Sequence, residues 1–313
     1  MATMREFTYP SRDGVHQIHA VEWIPEHRNP IGVVQIVHGI SEYILRYAPF
    51  ADYLTEHNFV VVGSDHLGHG KTARSPKEYG FLAPKDGWKC LAEDVYTLRM
   101  KTAARFPGLP YFMLGHSMGS FVARTYLIRW PGTLSGCILS GTGQESTALI
   151  GAGRGITALL SGIKGPSAHS ALVTALSLGP YNRQFKPTRT PVDWISRDTG
   201  IVDSYAADPL CQFVPTIGMT RDMLYGLSFI AKPEHLRQMD PNTPVYFFSG
   251  DQDPVGGNGS GVKKVVKLFR AAGVKDLTLK LYPGGRHEML NEINRSEVYA
   301  DTLAWLESKL PHC

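Results

Sequence analysis

The chain has 313 residues, 43% hydrophobic and 19% charged, a make-up that suits a soluble globular protein with one large core and room for an insertion, and excludes disorder and fibre. Its formal charge of +4, from 32 basic and 28 acidic residues, arises without a Lys/Arg run, so no nucleic-acid partner and no polybasic membrane anchor is expected. Cys90, Cys137, Cys211 and Cys313 stand far apart without a CxxC pattern, suggesting neither a zinc knuckle nor a disulfide framework and making a reducing compartment the default. The segment Met1 to Glu6 offers no apolar run for a signal peptide, and about 18 uninterrupted apolar residues occur nowhere. A cytoplasmic location is expected.

Two strands are predicted first, near Glu6 to Tyr9 and Gln17 to Trp23, joined through the turn signal Ser11-Arg12-Asp13-Gly14 into a hairpin. Gly32 to Val37 then reads as a buried strand, and Tyr47, Phe50, Ala51 and Leu54 form one face of a helix. The same alternation repeats: Phe59 to Val62 as strand, Trp88, Leu91, Ala92, Val95 and Leu98 as a helical stripe, Tyr111 to Leu114 as strand, Phe121 to Ile128 as helix, Gly136 to Leu139 as strand. An α/β fold follows, with a mostly parallel sheet covered by helices on both faces.

From Thr142 to Lys232 the alternation stops, and short apolar stripes alternate with Gly/Pro-rich loops. It resumes with Val245 to Phe248 (strand), Val262 to Phe269 (helix), Leu277 to Leu281 (strand) and a last helix with Tyr299, Leu303, Leu306 and Leu310 on one face. The expected organisation is a core in two parts, residues 1–141 and 233–313, interrupted by a helical cap at 142–232.

Gly115-His116-Ser117-Met118-Gly119 follows a predicted strand and precedes a predicted helix. In that context a serine is forced onto a sharp turn, flanking glycines let neighbouring backbone pass, and the hydroxyl stands above the sheet. Ser117 is therefore the expected nucleophile. A serine hydroxyl needs a base to take its proton and a third group to orient that base. Of the later histidines, His235 lies in a charged, helix-like stretch and His312 in the terminal tail, whereas His287 follows a strand and the turn Tyr282-Pro283-Gly284-Gly285-Arg286. Sites of open α/β sheets form beyond the carboxyl ends of strands, so His287 is the expected base. Beyond the strand Val245 to Phe248, two carboxylates, Asp251 and Asp253, compete for the third role. The expected oxyanion donors are the Met118 amide, at the first turn after the nucleophile, and the Ile40 amide in the turn His38-Gly39-Ile40. His38 is expected to order that loop.

At these residues the chain resembles the α/β-hydrolase superfamily, and within it the monoacylglycerol lipase and lysophospholipase branch that is grouped with serine aminopeptidases. The resemblance rests on Val37-His38-Gly39, Asp65-His66-Leu67-Gly68-His69-Gly70, Gly115 to Gly119, the Gly250 to Asp253 spacing, Gly285-Arg286-His287-Glu288, and the cap segment Tyr205 to Leu210. It implies the α/β-hydrolase fold and maps the acid, three residues after the strand-ending glycine, onto Asp253. It further implies a serine ester hydrolase acting on a small-molecule substrate with a single acyl chain, without cofactor or metal. An aminopeptidase or amidase of the same fold would need an acid near the cap for a free amine, with Asp198, Asp203 and Asp208 available; a non-catalytic lipid receptor is the alternative from another class.

In the cap, Ile156, Leu159, Leu160 and Ile163 recur at helical spacing among Gly151, Gly153, Gly155, Gly162 and Gly165, which suggests a mobile apolar lid. Leu159 and Leu160 are expected to bind the acyl chain, and the cap to make transient contact with a membrane surface. His66 and His69 are expected to serve a structural turn.

Overall fold

The computed structural model describes residues 2–26, 29–177 and 179–311. His312 and Cys313 lie outside the described residues. Eight strands, β1 (Ala2–Pro10), β2 (Gln17–Pro25), β3 (Gly32–Val37), β4 (Phe59–Ser64), β5 (Tyr111–His116), β6 (Gly136–Ser140), β7 (Val245–Gly250) and β8 (Leu277–Tyr282), form one sheet in the order β1-β2-β4-β3-β5-β6-β7-β8. β1 and β2 are the antiparallel hairpin, and β2 also runs antiparallel to β4. Every other pairing is parallel. Chain order reverses across the sheet at β3, between β4 on one side and β5 on the other. The crevice beyond the carboxyl ends of such strands is where open α/β sheets take their ligands.

The strands read as continuous apolar runs because both faces are covered. Alternate side chains point to opposite faces, and those of β5 divide accordingly: Tyr111 and Met113 join one core cluster, Phe112 and Leu114 the other. The first cluster is filled by α2 (Gly87–Arg105) and α3 (Met118–Arg129), through Trp88, Leu91, Val95, Leu98, Val122 and Tyr126. The second is closed by α1 (Ala48–Glu56), with Phe50, Ala51 and Leu54 at the predicted helical spacing.

Between β6 and β7 lie five α-helices and no strand among the described residues: α4 (Thr147–Lys164), α5 (Ala171–Ser177), α6 (Thr199–Ala207), α7 (Ile217–Ile230) and α8 (Pro233–Leu236). They differ in how deeply they enter the core. Met219, Leu227 and Ile230 of α7 are buried in the same cluster as α2 and α3, so this helix is part of the main core. α4 runs unbroken through its glycines, opened by Ser146, whose side chain accepts the Leu149 amide at 3.2 Å. Its buried residues are Ile150 and Thr157, whereas Leu159 is 65% and Ile163 71% exposed. The apolar stripe read from the sequence therefore faces outward over much of its length. α9 (Ser260–Ala271) and α10 (Arg295–Glu307) complete the two layers with Val262, Val265 and Phe269 on one side and Val298, Leu303 and Leu306 on the other. None of the helices is long and apolar enough to cross a membrane, among the described residues.

Candidate active site

Ser117 occupies the single residue between the end of β5 and the start of α3, with φ 52° and ψ −120°. A non-glycine residue at positive φ carries a cost of about 1–3 kcal/mol that the surroundings must offset. Here the Ser117 amide donates to the Ser140 carbonyl at 3.0 Å, and the Ser120 hydroxyl donates to the Ser117 carbonyl at 2.6 Å. The turn also demands Gly119, where an added Cβ would stand 2.0 Å from the Val37 carbonyl oxygen. Its absence lets the first turn of α3 rest against the end of β3, with Ser117 at the point where strand order reverses.

The loops after β7 and β8 meet because Gly250 passes so close that a Cβ there would lie 1.9 Å from the Gly285 carbonyl oxygen. Across this approach His287 Nδ1 and Asp253 Oδ1 are 3.0 Å apart, both groups being buried. Asp253 also accepts from the Ser249 hydroxyl at 3.0 Å and from the Val255 amide at 2.9 Å. Burial works to raise the Asp253 pKa, yet the charge and hydrogen bond of His287 outweigh it and leave the carboxyl below its ordinary value. Burial likewise opposes protonation of His287, and Asp253, with help from Glu288 and Glu42, more than compensates, so its pKa lies above the ordinary 6.5. Asp251 makes a different contact, accepting the Gly284 amide at 2.8 Å. Of the two carboxylates, one reaches His287 and the other closes a turn.

His38 fixes the loop after β3. Its Nδ1 lies 2.7 Å from the Gly39 carbonyl oxygen, and its Nε2 accepts the His66 amide at 3.1 Å, so the proton sits on Nδ1. The His66 ring stacks on His38 with centroids 3.8 Å apart. Burial drives His38 far below the ordinary histidine value, His66 to about 3 and His69 to about 4. Neutral rings thus hold the turn. No acceptor among the described residues takes the Ile40 amide or the Met118 amide, and both residues border the same small cavity as Ser117.

Two cavities open at Ser117. The larger, 730 Å³, is bordered by Ile40, Glu42, Asn182, Trp194, Tyr205 and Phe213 together with Ser117, His287 and Glu288. The smaller, 70 Å³, is mainly apolar, with Met118, Phe121, Met223, Leu227 and Val255, and with Gln144 and Glu145 also on its border. Neither Leu159 nor Leu160 borders either cavity, which differs from the expectation that they hold the acyl chain; α4 turns Ile150 and Thr157 inward instead. Two further clefts, of 680 and 690 Å³, contain none of Ser117, Asp253 or His287. Asp198 pairs with Arg295 and caps α6, Asp203 pairs with Arg189, and Asp208 accepts the Tyr43 hydroxyl. None of the three borders the larger cavity. His235, on α8, lies with Nδ1 2.8 Å from the Phe229 carbonyl oxygen.

Sequence reasoning did not single out Glu42, Arg46, Trp194 or the individual roles of Tyr205 and Glu288. Trp194 packs 4.9 Å from the His287 ring, and Arg46 links Glu42 to Glu288. The spacing of Glu42 and Arg46, four apart just after the His38-Gly39 turn, was the available signal.

A family model described as "Serine aminopeptidase, S33" matches residues 28–294. A solved structure of a highly thermostable carboxyl esterase from Bacillus coagulans, in complex with glycerol, superposes with a TM-score of 0.92 at 33% identity, covering 99% of both chains. The "Monoacylglycerol lipase" of Mycolicibacterium smegmatis is 28% identical over 312 residues, 99% of each chain. The human "Monoglyceride lipase" is 24% identical over 284 residues, 90% of this chain and 84% of that one. The chain therefore belongs to the serine aminopeptidase family of α/β-hydrolases, in its monoacylglycerol lipase branch.

Proposed function

We propose that Ser117, His287 and Asp253 are the nucleophile, base and orienting acid of a carboxylic ester hydrolase whose substrates are single-acyl-chain lipids, monoacylglycerols or lysophospholipids. Ser117 attacks the ester carbonyl as His287 takes its proton, and the amides of Ile40 and Met118 receive the oxyanion. His287 then protonates the departing alcohol, and water releases the fatty acid from Ser117 by the same steps. The observation that carries this reading is the buried Asp253–His287 contact, made behind a cavity that Ser117 and His287 both border. An ester is favoured over a free-amine substrate, since Asp198, Asp203 and Asp208 are engaged elsewhere and away from that cavity, and the two carboxylates that do border it, Glu42 and Glu288, are both paired with Arg46.

Because only neutral imidazole accepts the serine proton, activity should fall as pH drops through the His287 pKa. Asp253, Glu288 and Glu42 hold that pKa above 6.5, so the acid limb of kcat/KM should have its midpoint above 6.5. A profile flat from about pH 5 to 8, with chemistry limiting, contradicts His287 as base.

The outward apolar face of α4 suits contact with a lipid surface. Its Leu159 and Ile163 side chains are largely in water, and burying each in an acyl layer would contribute roughly 1 kcal/mol or more. Leu159→Asp combined with Ile163→Asp is expected to lower turnover of vesicle-borne monoacylglycerol by about tenfold while leaving a monomeric short-chain ester within about twofold. Equal losses on both substrates at an unchanged Tm contradict the surface contact. Side-by-side turnover of monoacylglycerols, lysophospholipids and aminoacyl amides tests the substrate class. Amide turnover matching the best ester contradicts it.

A further inference from the structure

Arg46 stands between three parts of the candidate site. Its two terminal nitrogens fork onto Glu288 at 2.8 and 2.7 Å, and Nη1 also donates to Glu42 at 3.0 Å. Its guanidinium lies 4.8 Å over the Tyr205 ring, and the Tyr205 hydroxyl donates to the Ser41 carbonyl at 2.9 Å. Glu42 accepts in turn from the Gly39 amide and, at 2.9 Å, from the Tyr47 hydroxyl. Glu288 directly follows His287, and its own amide donates to the Ile195 carbonyl at 2.7 Å. One guanidinium thereby joins the loop that offers the Ile40 amide to the loop that bears His287.

Stability alone accounts poorly for this arrangement. Glu42 and Glu288 are 3% and 6% exposed, and buried ion pairs are often replaceable by apolar groups without loss, since desolvation offsets their attraction. Two carboxylates sharing one cation are costlier still. We propose that Glu42, Arg46 and Glu288 are positioning residues, a bridge that fixes the Gly39–Ile40 amides against the His287 imidazole so that oxyanion donor and base meet the same ester carbonyl. The inference rests on the roles given above to Ser117, His287, Ile40 and Met118, and adds residues that act through them.

The charges agree with this geometry. Burial and the neighbouring Glu288 push the Glu42 carboxyl up despite Arg46, whereas at Glu288 the guanidinium overcomes burial and holds the carboxyl down. The cation thus serves Glu288 first. The charged and titratable groups around His287 are Asp253, Glu288 and Glu42, which favour its protonation, His116, whose ring lies 4.6 Å away, and Arg46 behind Glu288. His116 is held neutral, its pKa lowered to about 3 mainly by burial.

The test measures kcat and KM per active site, with sites counted by a fluorophosphonate probe, between about pH 5 and 9 for Arg46→Gln, Arg46→Lys and Glu288→Gln. Arg46→Gln should lower kcat about tenfold or more with KM within about threefold, as for a lost oxyanion contact. Arg46→Lys keeps the charge but not the fork, and should recover little. Glu288→Gln removes a negative charge beside His287, so the acid limb should move to lower pH. A kcat per labelled site within about twofold of the parent in both Arg46 variants, or an unmoved limb in Glu288→Gln, overturns the bridge. If Arg46→Gln does not fold, Arg46→Lys and Glu288→Gln decide by the same criteria. A parent protein that the probe does not label at Ser117 overturns the underlying reading instead, so the two failures are distinct.

Discussion

Ser117→Ala and His287→Ala are each expected to lower kcat at least about a thousandfold, with the double variant little worse than either single one, because nucleophile and base act as a unit. The alanine at 117 removes the attacking oxygen itself. At 287 it leaves the Ser117 hydroxyl without an effective acceptor for its proton, since the other nearby imidazole, His116, has its Nδ1 3.1 Å from the Ser140 hydroxyl and is made a weak base by burial, which disfavours its protonated form. Folding should survive both changes. Steady-state kinetics on a soluble ester, with Tm measured alongside, checks the expectation, and retention of more than about a tenth of parent turnover by either single variant contradicts it.

Asp253 and Asp251 stand two residues apart and should respond very differently to amidation. Asp253→Asn replaces the acceptor of the His287 contact by a group that can donate into it, favouring the wrong tautomer; a loss of about a hundredfold to ten-thousandfold in kcat is expected, by analogy with other serine triads. Asp253 is fully buried, and removing its charge also deprives His287 of the largest influence raising its pKa, so any residual acid limb should move to lower pH. Asp251→Asn can still accept the Gly284 amide through its side-chain oxygen. It should cost less than about tenfold in kcat and about 1 kcal/mol in stability. A folded Asp251→Asn variant more impaired than Asp253→Asn reverses the assignment.

The sheet was legible from the sequence for a definite reason. β3 to β7 are buried on both faces, so their side chains form apolar runs such as Val33-Val34 and Val60-Val61-Val62 whatever face each residue takes. The helices α1, α2 and α3, between β3 and β6, carry complete stripes because each packs on that sheet. Gly115 to Gly119 was legible because the strained turn at Ser117 tolerates few alternatives on either side. The region between β6 and β7 was harder. α4 carries an apolar stripe that the fold does not bury, and α7 carries one that it does; periodicity measures amphipathicity and cannot name the partner. Asp253 and Asp251 were not separable on residue type, because what divides them is which loop each reaches, one touching His287 and the other Gly284. The Arg46–Glu288 fork was beyond local reading altogether, its ends being 242 positions apart.

The central claim is that Ser117 forms a covalent acyl-enzyme. Incubation with a fluorophosphonate, followed by peptide mass spectrometry and residual hydrolysis of a monoacylglycerol, tests it most directly. Stoichiometric modification confined to Ser117, with loss of hydrolysis in proportion to labelling and no labelling of the Ser117→Ala protein, is the predicted result. Hydrolysis that persists in fully labelled enzyme, or modification at another residue that accounts for the inactivation, contradicts it.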